Sequence, residues 1–331
     1  MLKYILKRLG LSILILIGVS IIIYFLIRLM PVDFIQSKVD AMNQGGATVD
    51  QATVDAMYKM YGLGDDSFWG IMSGYFTWLI ALFQFDLGTS FIHAIPVSQV
   101  IVEHMGVSFA VAFIATIFEF LIAIPLGITA ATHQYSIRDY IVTILVMIGI
   151  SLPSFFFGQM LKDVLAIKLG WFPVSGLVNA TQTPSSFIGL LGDYLYHMVI
   201  PILTVVILSI GGRMRMTRTN MLEVLNADYI RTARAKGLKE SKVIYKHAFR
   251  NTLIPVVTSL AGLLPSLFSG AIITEQVFDL PGIGNVALQA MNKGDIPFIM
   301  GYNMFLAILS VVGVLLADLA YALVDPRVKL Q

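Results

Sequence analysis

Few residues of this chain have the types and spacing that catalysis requires. Its 331 residues include no cysteine, which excludes disulfides, thiolate metal sites and cysteine nucleophiles. No G-x-x-x-x-G-K-[ST] loop is present to cradle nucleotide phosphates, and the histidines lack the H-E-x-x-H spacing of a zinc enzyme. The five histidines are His93, His104, His133, His197 and His247. We therefore expect no catalytic residue, no protein metal site and no cofactor held by this chain.

Two charged features remain as candidates for function. Glu119 interrupts an apolar block, where an ionisable side chain is costly and is a functional candidate by default. The alternative for Glu119 is a carboxyl group that is hydrogen-bonded to a neighbouring helix. The second feature is the basic segment 213–251, which holds ten of the 22 Lys and Arg residues. Net charge is only +2, so nucleic acid is not an expected partner.

The middle of the basic segment predicts a short helix. Asp228 is a favourable N-cap and Gly237 a favourable residue just past a C-terminus, so we predict a helix of two turns over Tyr229–Lys236. Within it, Ile230 and Ala233 share one face. Arg231 and Arg234 share another face. A second short helix follows, with an apolar stripe formed by Ile244, Tyr245, Ala248 and Phe249.

This basic segment has three possible roles. It could simply orient the protein, since loops rich in Lys and Arg stay on the cytoplasmic side of a membrane. It could bind anionic lipid. Capped helices with paired faces and a central glycine favour the third role, a surface that docks a separate protein.

The composition of the whole chain predicts that lipid surrounds these features. Hydrophobic residues make up 57% and charged residues 13%, with a mean hydropathy of +0.82. Soluble domains carry roughly 25% charged residues. Each nearly uncharged block can cross a hydrocarbon core of ~30 Å at about 1.5 Å per residue. The blocks are Leu9–Ile27, Gly106–Ala131, Tyr140–Leu161, Tyr194–Gly212, Thr252–Thr274 and Ile296–Ala317.

A seventh uncharged block, 67–85, needs a separate interpretation. Seven of its residues are aromatic, and such rings prefer the headgroup boundary. We read it as an interfacial or externally packed helix, with a seventh span as the alternative. The basic tail beside the first span then places both termini in the cytoplasm. This gives three regions: 1–30 with the first span, an external segment 31–105, and a five-helix core 106–331.

Arg231-Thr-Ala-Arg-Ala-Lys-Gly237-Leu is a specific motif, followed by His247-Ala-Phe-Arg and Leu253-Ile-Pro255. It matches the general Glu-Ala-Ala signature of ABC-importer permeases poorly. It closely resembles the oligopeptide/dipeptide/nickel branch of those permeases. Phe85-Asp-Leu-Gly-Thr-Ser90 resembles that branch's Gly-Asp-Leu-Gly-x-Ser, with phenylalanine replacing glycine. Further matching positions are Glu275, Phe278, Pro281–Gly284, Asp295–Pro297, Asp318, Tyr321 and Asp325–Arg327.

The resemblance implies an all-α integral membrane protein, with six transmembrane helices in the type I importer arrangement. It implies the first permease subunit of a peptide importer in a bacterial or archaeal cell membrane. The expected partners are a second homologous permease subunit, two cytoplasmic ATPase subunits that bind ATP and Mg, an external substrate-binding protein, and the bilayer. A nickel or metal-chelate importer and an ion-coupled secondary transporter are the alternatives.

The resemblance also implies two sets of site residues. The ATPase-coupling residues are Asp228, Tyr229, Arg231, Thr232, Ala233, Arg234, Ala235 and Gly237. The translocation-path residues are Glu119, Ser151, Pro153, Glu275, Pro281 and Gly282. We expect Pro281–Gly284 to form a tight turn at the outer mouth of the path.

Overall fold

The computed structural model describes residues 2–29, 33–44, 49–60, 67–179 and 184–324. Helices make up almost all of this part of the chain, together with one isolated bridge between Thr89 and Pro96. The predicted boundary at Pro31 and the motif Asp325–Arg327 lie outside the described residues. The helices are α1 (Leu2–Arg28), α2 (Phe34–Gln44), α3 (Gln51–Met60), α4 (Phe68–Phe83), α5 (Val97–Thr132), α6 (Ile137–Ser151), α7 (Ser154–Leu161), α8 (Phe187–Leu225), α9 (Asp228–Ala235), α10 (Glu240–Lys242), α11 (Phe249–Ser259), α12 (Leu263–Phe268), α13 (Ile272–Phe278), α14 (Ile283–Lys293) and α15 (Ile296–Val324). Two π-helical turns (Lys162–Lys168 and Val243–Ala248) and a 3-10 turn (Leu260–Gly262) join some of them.

Within the described ranges, four helices are long and apolar enough to cross a membrane. They are Lys7–Ile27 in α1, Val97–Thr132 in α5, Phe187–Leu225 in α8 and Ile296–Leu319 in α15. A fifth candidate is the pair Ile137–Ser151 and Ser154–Lys168, which bends by 102°. The bend falls at Leu152, whose backbone is extended (ψ 133°) because Pro153 disfavours a helical residue before it. The predicted span Tyr140–Leu161 is therefore bent rather than straight.

The predicted span Thr252–Thr274 is not one helix. Instead α11, the 3-10 turn, α12 and α13 follow one another from Phe249 to Phe278. Gly270 has a left-handed backbone (φ 72°), which ends the helical path between α12 and α13. The described helices thus give four spans by length and composition, or five with the bent pair. A total of six spans stays a prediction.

The chain forms two compact units, each with its own core. Unit 1 contains Met1–Gly106 and Ile283–Val311, and unit 2 contains Val107–Gly282 and Val312–Gln331. In unit 1, α4 packs along α1. The Tyr75 hydroxyl lies 3.0 Å from the Ser20 hydroxyl, and its ring meets Tyr24 edge-on at 5.4 Å. Helix α4 therefore contacts the middle of a candidate span, although its own 16 residues are too few to cross a bilayer that needs about 20.

A buried carboxylate organises the polar part of unit 1. Asp295 is fully buried and accepts a hydrogen bond of 2.6 Å from the Ser90 hydroxyl. It also accepts backbone N–H bonds from Phe91 (3.0 Å), Ile92 (3.1 Å) and Phe298 (3.3 Å). The loop that carries the Phe85–Ser90 motif is thereby fastened to the start of α15.

The segment that precedes α4 in unit 1 packs on that loop. Helices α2 and α3 bury an apolar cluster against two hydrophobic side chains of the loop, Phe91 and Ile92. The buried cluster residues are Phe34, Ile35, Val39 and Val54. Asp33 accepts the backbone N–H of Ile35 at 2.8 Å and so caps the start of α2. Helices α2 and α3 accordingly form a helical hairpin that packs on this loop.

Helix α8 is the centre of unit 2. It packs against α6, α7, α11 and α13. Close approach to α6 depends on small residues, since a Cβ atom on Gly211 would collide with Ile150 and one on Gly149 would press on the Ile207 carbonyl. A Cβ atom on Gly127 of α5 would likewise collide with Thr217 of α8. These glycines bring the three helices into direct backbone contact.

Candidate coupling surface and transport core

The predicted docking helix is present as α9, with a different start from the one predicted. Ala227, not Asp228, is the N-cap residue, and no side chain caps this end. Asp228 is instead the first helical residue. Its side chain is 97% exposed and lies 3.6 Å from that of Arg231. A carboxylate in the first turn still favours the helix by interacting with its macrodipole.

The end of α9 confirms the role predicted for Gly237. Gly237 is left-handed (φ 72°) and its N–H bonds to the Arg234 carbonyl at 2.9 Å. The N–H of Leu238 bonds to the Ala233 carbonyl at 3.4 Å. This pair of bonds is a Schellman motif, which requires a left-handed residue just past the helix. Nothing lies within 4 Å of a Cβ atom built on Gly237, so its backbone angle is the constraint.

The two faces of α9 separate as predicted. Ile230 is fully buried and Ala233 is 6% exposed. Both lie in a cluster with the end of α5, with Met221 of α8 and with the π-helical turn. The opposite face is exposed, with Tyr229 at 48%. Its remaining exposed members are Arg231, Thr232, Arg234 and Ala235. Helix α9 is therefore docked by its apolar face and presents an aromatic and basic face outward.

The stripe predicted for the following helix is partly wrong. Val243 and Ala248 are fully buried, whereas Tyr245 is 60% exposed. The cause is the π-helical turn Val243–Ala248, in which residues five apart share a face. The prediction assumed the α-helical period. Ile244 and Phe249 do pack against the cluster, as predicted.

A salt bridge that the sequence did not indicate closes the turn after α9. Arg234 Nη2 lies 2.7 Å from Glu240 Oε1. This hydrogen bond, with the attraction of the guanidinium charge, holds the pKa of Glu240 below its ordinary value of 4.5. Both side chains are about half exposed, so the pair adds little stability. It does orient Arg234 toward the turn.

The basic segment does not begin as a loop, because α8 continues to Leu225. Arg213 lies inside this helix and its Nε donates to Glu119 of α5 at 3.0 Å. Its Nη1 donates to the Ser259 hydroxyl of α11 at 3.0 Å, and its guanidinium stacks 4.5 Å from the Phe120 ring centre. Glu119 therefore has a neighbouring-helix partner, and that partner is a charged one. The pair joins three helices of unit 2.

Glu275 and Gly282, two of the predicted path residues, lie together. Glu275 is 1% exposed and accepts hydrogen bonds from the Ser108 hydroxyl (2.6 Å) and the Ala271 N–H (3.1 Å). Gly282 lies so close that a Cβ atom there would overlap the carboxyl group. Pro281 between them is exposed. The carboxylate thus supports the turn from α13 to residue 282.

The remaining two predicted path residues mark the bend. Ser151 ends α6, is exposed, and donates its hydroxyl to the Met147 carbonyl at 2.8 Å. Pro153 begins α7. On the far side of the bend, Lys162 Nζ donates to the Val277 carbonyl of α13 at 2.8 Å, a contact that the sequence gave no reason to expect. A cation at a helix C-terminus satisfies its free carbonyls. The hydrogen bond from Lys162 to Val277 links the bent helix pair to the turn that Glu275 supports.

Apolar helices of spanning length, with an amphipathic surface helix docked at the end of one of them, are features of a membrane-embedded protein. The family model described as "Binding-protein-dependent transport system inner membrane component" matches residues 123–330. The chain belongs to this family and is the permease component of an ABC importer. Such permeases work with an ATPase and a substrate-binding protein.

Curated relatives match over their full length. The oligopeptide transport system permease protein AppB of Bacillus subtilis (strain 168) is 36% identical, covering 99% of this chain and 100% of AppB. The dipeptide transport system permease protein DppB of Escherichia coli (strain K12) is 32% identical, covering 99% of each chain. The predicted resemblance to the oligopeptide/dipeptide branch is confirmed.

A solved structure shares the fold. An inward-facing structure of the MetNI methionine ABC transporter has a TM-score of 0.53 and 17% identity, covering 69% of this chain and 97% of that chain. At this identity the likeness concerns the fold alone. Together with the family it confirms the predicted fold class, an all-α permease of the type I importer arrangement.

Proposed function

We propose that this chain is the permease subunit of an ATP-driven importer that takes up oligopeptides or dipeptides, and that α9 is its coupling helix. One observation carries the proposal. The apolar face of α9 is buried on α5 and α8, while its outer face, with Tyr229 and Arg231, is open to a partner. Peptide is the proposed cargo because the relatives AppB and DppB are named for it.

The docking of α9 explains how a push on its outer face would reach the membrane. Only Asn226 and Ala227 separate α8 from α9, so the two helices cannot move independently. Ile230 is wedged against the end of α5. The push comes from two cytoplasmic ATPase subunits, which bind ATP and Mg. This chain holds no cofactor and catalyses no reaction. Both termini lie in the cytoplasm.

Transport also needs partners beside and outside this chain. A second homologous permease subunit completes the path, which opens alternately to each side of the bacterial or archaeal cell membrane. An external binding protein delivers the cargo, and the ordered α2–α3 hairpin in the segment 31–105 is its proposed docking surface. The fastening of that hairpin through Phe91 and Ile92 to the Asp295 loop would let docking act on the start of α15.

The proposed path residues divide into two kinds. Four residues are proposed to line the path or to flank the bend between α6 and α7: Glu119, Ser151, Pro153 and Pro281. The buried Glu275 is proposed to act behind the path wall by holding Gly282 in place, since its carboxylate has only 1% exposure for cargo.

The test is the complete complex in proteoliposomes. We expect ATPase activity and peptide uptake to rise when peptide-loaded binding protein is added outside. A response to nickel chelates and not to peptides would show that the cargo is a nickel chelate instead of a peptide. Uptake that runs on an ion gradient without ATP would refute the proposal and favour a secondary transporter.

A charge reversal tests the surface of α9 itself. Arg231→Glu should abolish copurification of the ATPase subunits, because the residue faces outward on α9. Lys242→Glu makes the same charge change at an exposed position outside α9 and should leave copurification intact. Equal retention of the ATPase by both variants would count against α9 as the contact.

A further inference from the structure

A two-point salt bridge with a buried carboxylate joins α6 to α8 in unit 2. Asp139, in the first turn of α6, is 4% exposed. Its Oδ1 accepts Nε of Arg218 at 3.1 Å and its Oδ2 accepts Nη2 at 2.9 Å. A guanidinium that grips both carboxylate oxygens fixes direction as well as distance. The two residues are 79 positions apart, so the pair sets how these helices lie against each other.

The same carboxylate holds the turn between α5 and α6. Asp139 Oδ2 also accepts the N–H of Tyr135 at 3.1 Å, and Tyr135 has a left-handed backbone (φ 61°) that side chains rarely adopt. Ser136 caps α6 by accepting the Asp139 N–H at 3.3 Å. The strained turn is thus kept in place by a residue that α8 itself grips.

This turn follows directly after the platform on which α9 rests. Ile128 and Ala131, near the end of α5, pack with Met221 of α8 around Ile230 of α9. Arg218 lies less than one turn before Met221 along α8. The Arg218–Asp139 pair therefore lies within one helical turn, along α8, of a residue on which α9 packs.

Beyond the pair, α6 leads to the transport core. The close contacts at Gly149 and Gly211 are van der Waals contacts with the Ile207 carbonyl and the Ile150 side chain, and they lack the direction that the two-point salt bridge gives. Past the bend at Pro153, Lys162 grips the Val277 carbonyl of α13. Through this hydrogen bond, a displacement of α6 and α7 would move α13 and the turn that Glu275 supports.

We infer that Arg218 and Asp139 are a positioning pair that makes the bent helix pair α6–α7 follow the α9 platform, so that ATPase motion opens the transport path. This role rests on the proposed function. The two residues touch neither cargo nor nucleotide. Without the pair, α9 would still dock and respond to the ATPase, and α6 would slip against α8.

The first test measures ATP hydrolysis and peptide uptake together in the reconstituted complex. Asp139→Asn keeps the shape and an acceptor for Tyr135 but removes the charge. We expect ATPase activity to stay within about two-fold of the unaltered complex, while peptide taken up per ATP falls about ten-fold. The matched control is Asp163→Asn with Lys168→Gln, which removes an exposed salt bridge of 2.6 Å from the same bent pair. We expect its uptake per ATP to be unchanged.

The second test uses the natural lack of cysteine. Asp139→Cys with Arg218→Cys, in a complex whose other subunits carry no accessible thiols, should be uncoupled in the same way. A short bifunctional thiol reagent that bridges the two positions should restore most of the uptake per ATP. A residue that merely stabilised the fold would not show this recovery.

Several results would overturn the inference. They are an unchanged uptake per ATP in an assembled Asp139→Asn complex, and a bridged cysteine pair that stays uncoupled. If Asp139→Asn does not assemble, Arg218→Lys decides, because it keeps the charge and loses the two-point grip. Normal uptake per ATP in that variant would also overturn it. Import without ATP by the unaltered complex would instead refute the proposed function, and with it the positioning role of Arg218 and Asp139.

Discussion

Replacing Gly282 with alanine places a methyl group where the Glu275 carboxyl now lies. A Cβ atom built on Gly282 is closer than 3.0 Å to the carboxyl carbon and to both its oxygens. The carboxyl is the end of a flexible side chain, so it can move. Moving it breaks the hydrogen bonds from the Ser108 hydroxyl (2.6 Å) and the Ala271 N–H (3.1 Å), and Glu275 is too buried for water to replace them.

The magnitude follows from those two bonds. A hydrogen bond to a charged group contributes about 1.5–3 kcal/mol, so losing two costs at most about 6 kcal/mol. Partial relaxation of the turn brings our expected loss for Gly282→Ala to about 3 kcal/mol. Each kcal/mol lowers the unfolding midpoint of a unit of this size by about 2–4 °C, which gives about 6–12 °C.

The assay is thermal unfolding of the purified permease, followed in two backgrounds. Glu275→Asp shortens the side chain by one methylene and clears the space, so Gly282→Ala should cost at least about 1 kcal/mol less in that background. Gly212→Ala is the control, since nothing lies within 4 Å of its Cβ position and its backbone is helical. An unchanged midpoint for Gly282→Ala, or an equal cost in both backgrounds, would refute the reasoning.

Three further outcomes are expected. Gly237 needs a left-handed backbone and has open space around it, so Gly237→Asn should retain uptake and Gly237→Ala should lose about 1 kcal/mol of local stability. Gly237→Val is β-branched and should abolish uptake while membrane insertion stays intact. Normal uptake by Gly237→Val would contradict this. The lowered pKa of Glu240 means that its pairing with Arg234 stabilises the turn above the ordinary pKa and is lost as pH falls through the lowered one. Glu240→Gln should therefore reduce hydrogen-exchange protection of 234–240 at pH 7 by up to about 0.5 kcal/mol and make no difference in strong acid, and an effect that grows in acid would have the wrong sign. Since α4 packs along α1, Phe76→Cys should resist a membrane-impermeant maleimide that labels Gln51→Cys in the α2–α3 hairpin. Equal labelling of both would place α4 at the surface.

The docking helix shows how far local sequence reasoning reaches. The burial of Ile230 and Ala233 and the left-handed Gly237 were predictable because both depend on contiguous residues, through helical spacing and backbone freedom. The start of the helix was not, because several residues near it could cap. Ala227 adopts the extended cap conformation and leaves Asp228 inside the first turn.

The neighbouring segment shows where the period itself misleads. Five-residue spacing in the π-helical turn buries Val243 and Ala248 and turns Tyr245 outward. The sequence has no proline or glycine at this point to mark the change. The π-helical turn is stabilised by its packing against α9 and Met221.

The sequence by itself determined that the chain is a membrane permease of the oligopeptide/dipeptide branch, and where its docking helix lies. Composition and uncharged blocks indicated a membrane protein, and the branch followed from the resemblance of several short motifs, all of which can be read along the chain. Only the tertiary structure decided that Arg213 belongs to Glu119 and Arg218 to Asp139. Their partners are 94 and 79 residues away, whereas the sequence alone placed both arginines only in the basic segment 213–251. A buried charge must find an opposite one, but which one depends on the helix packing that brings them together.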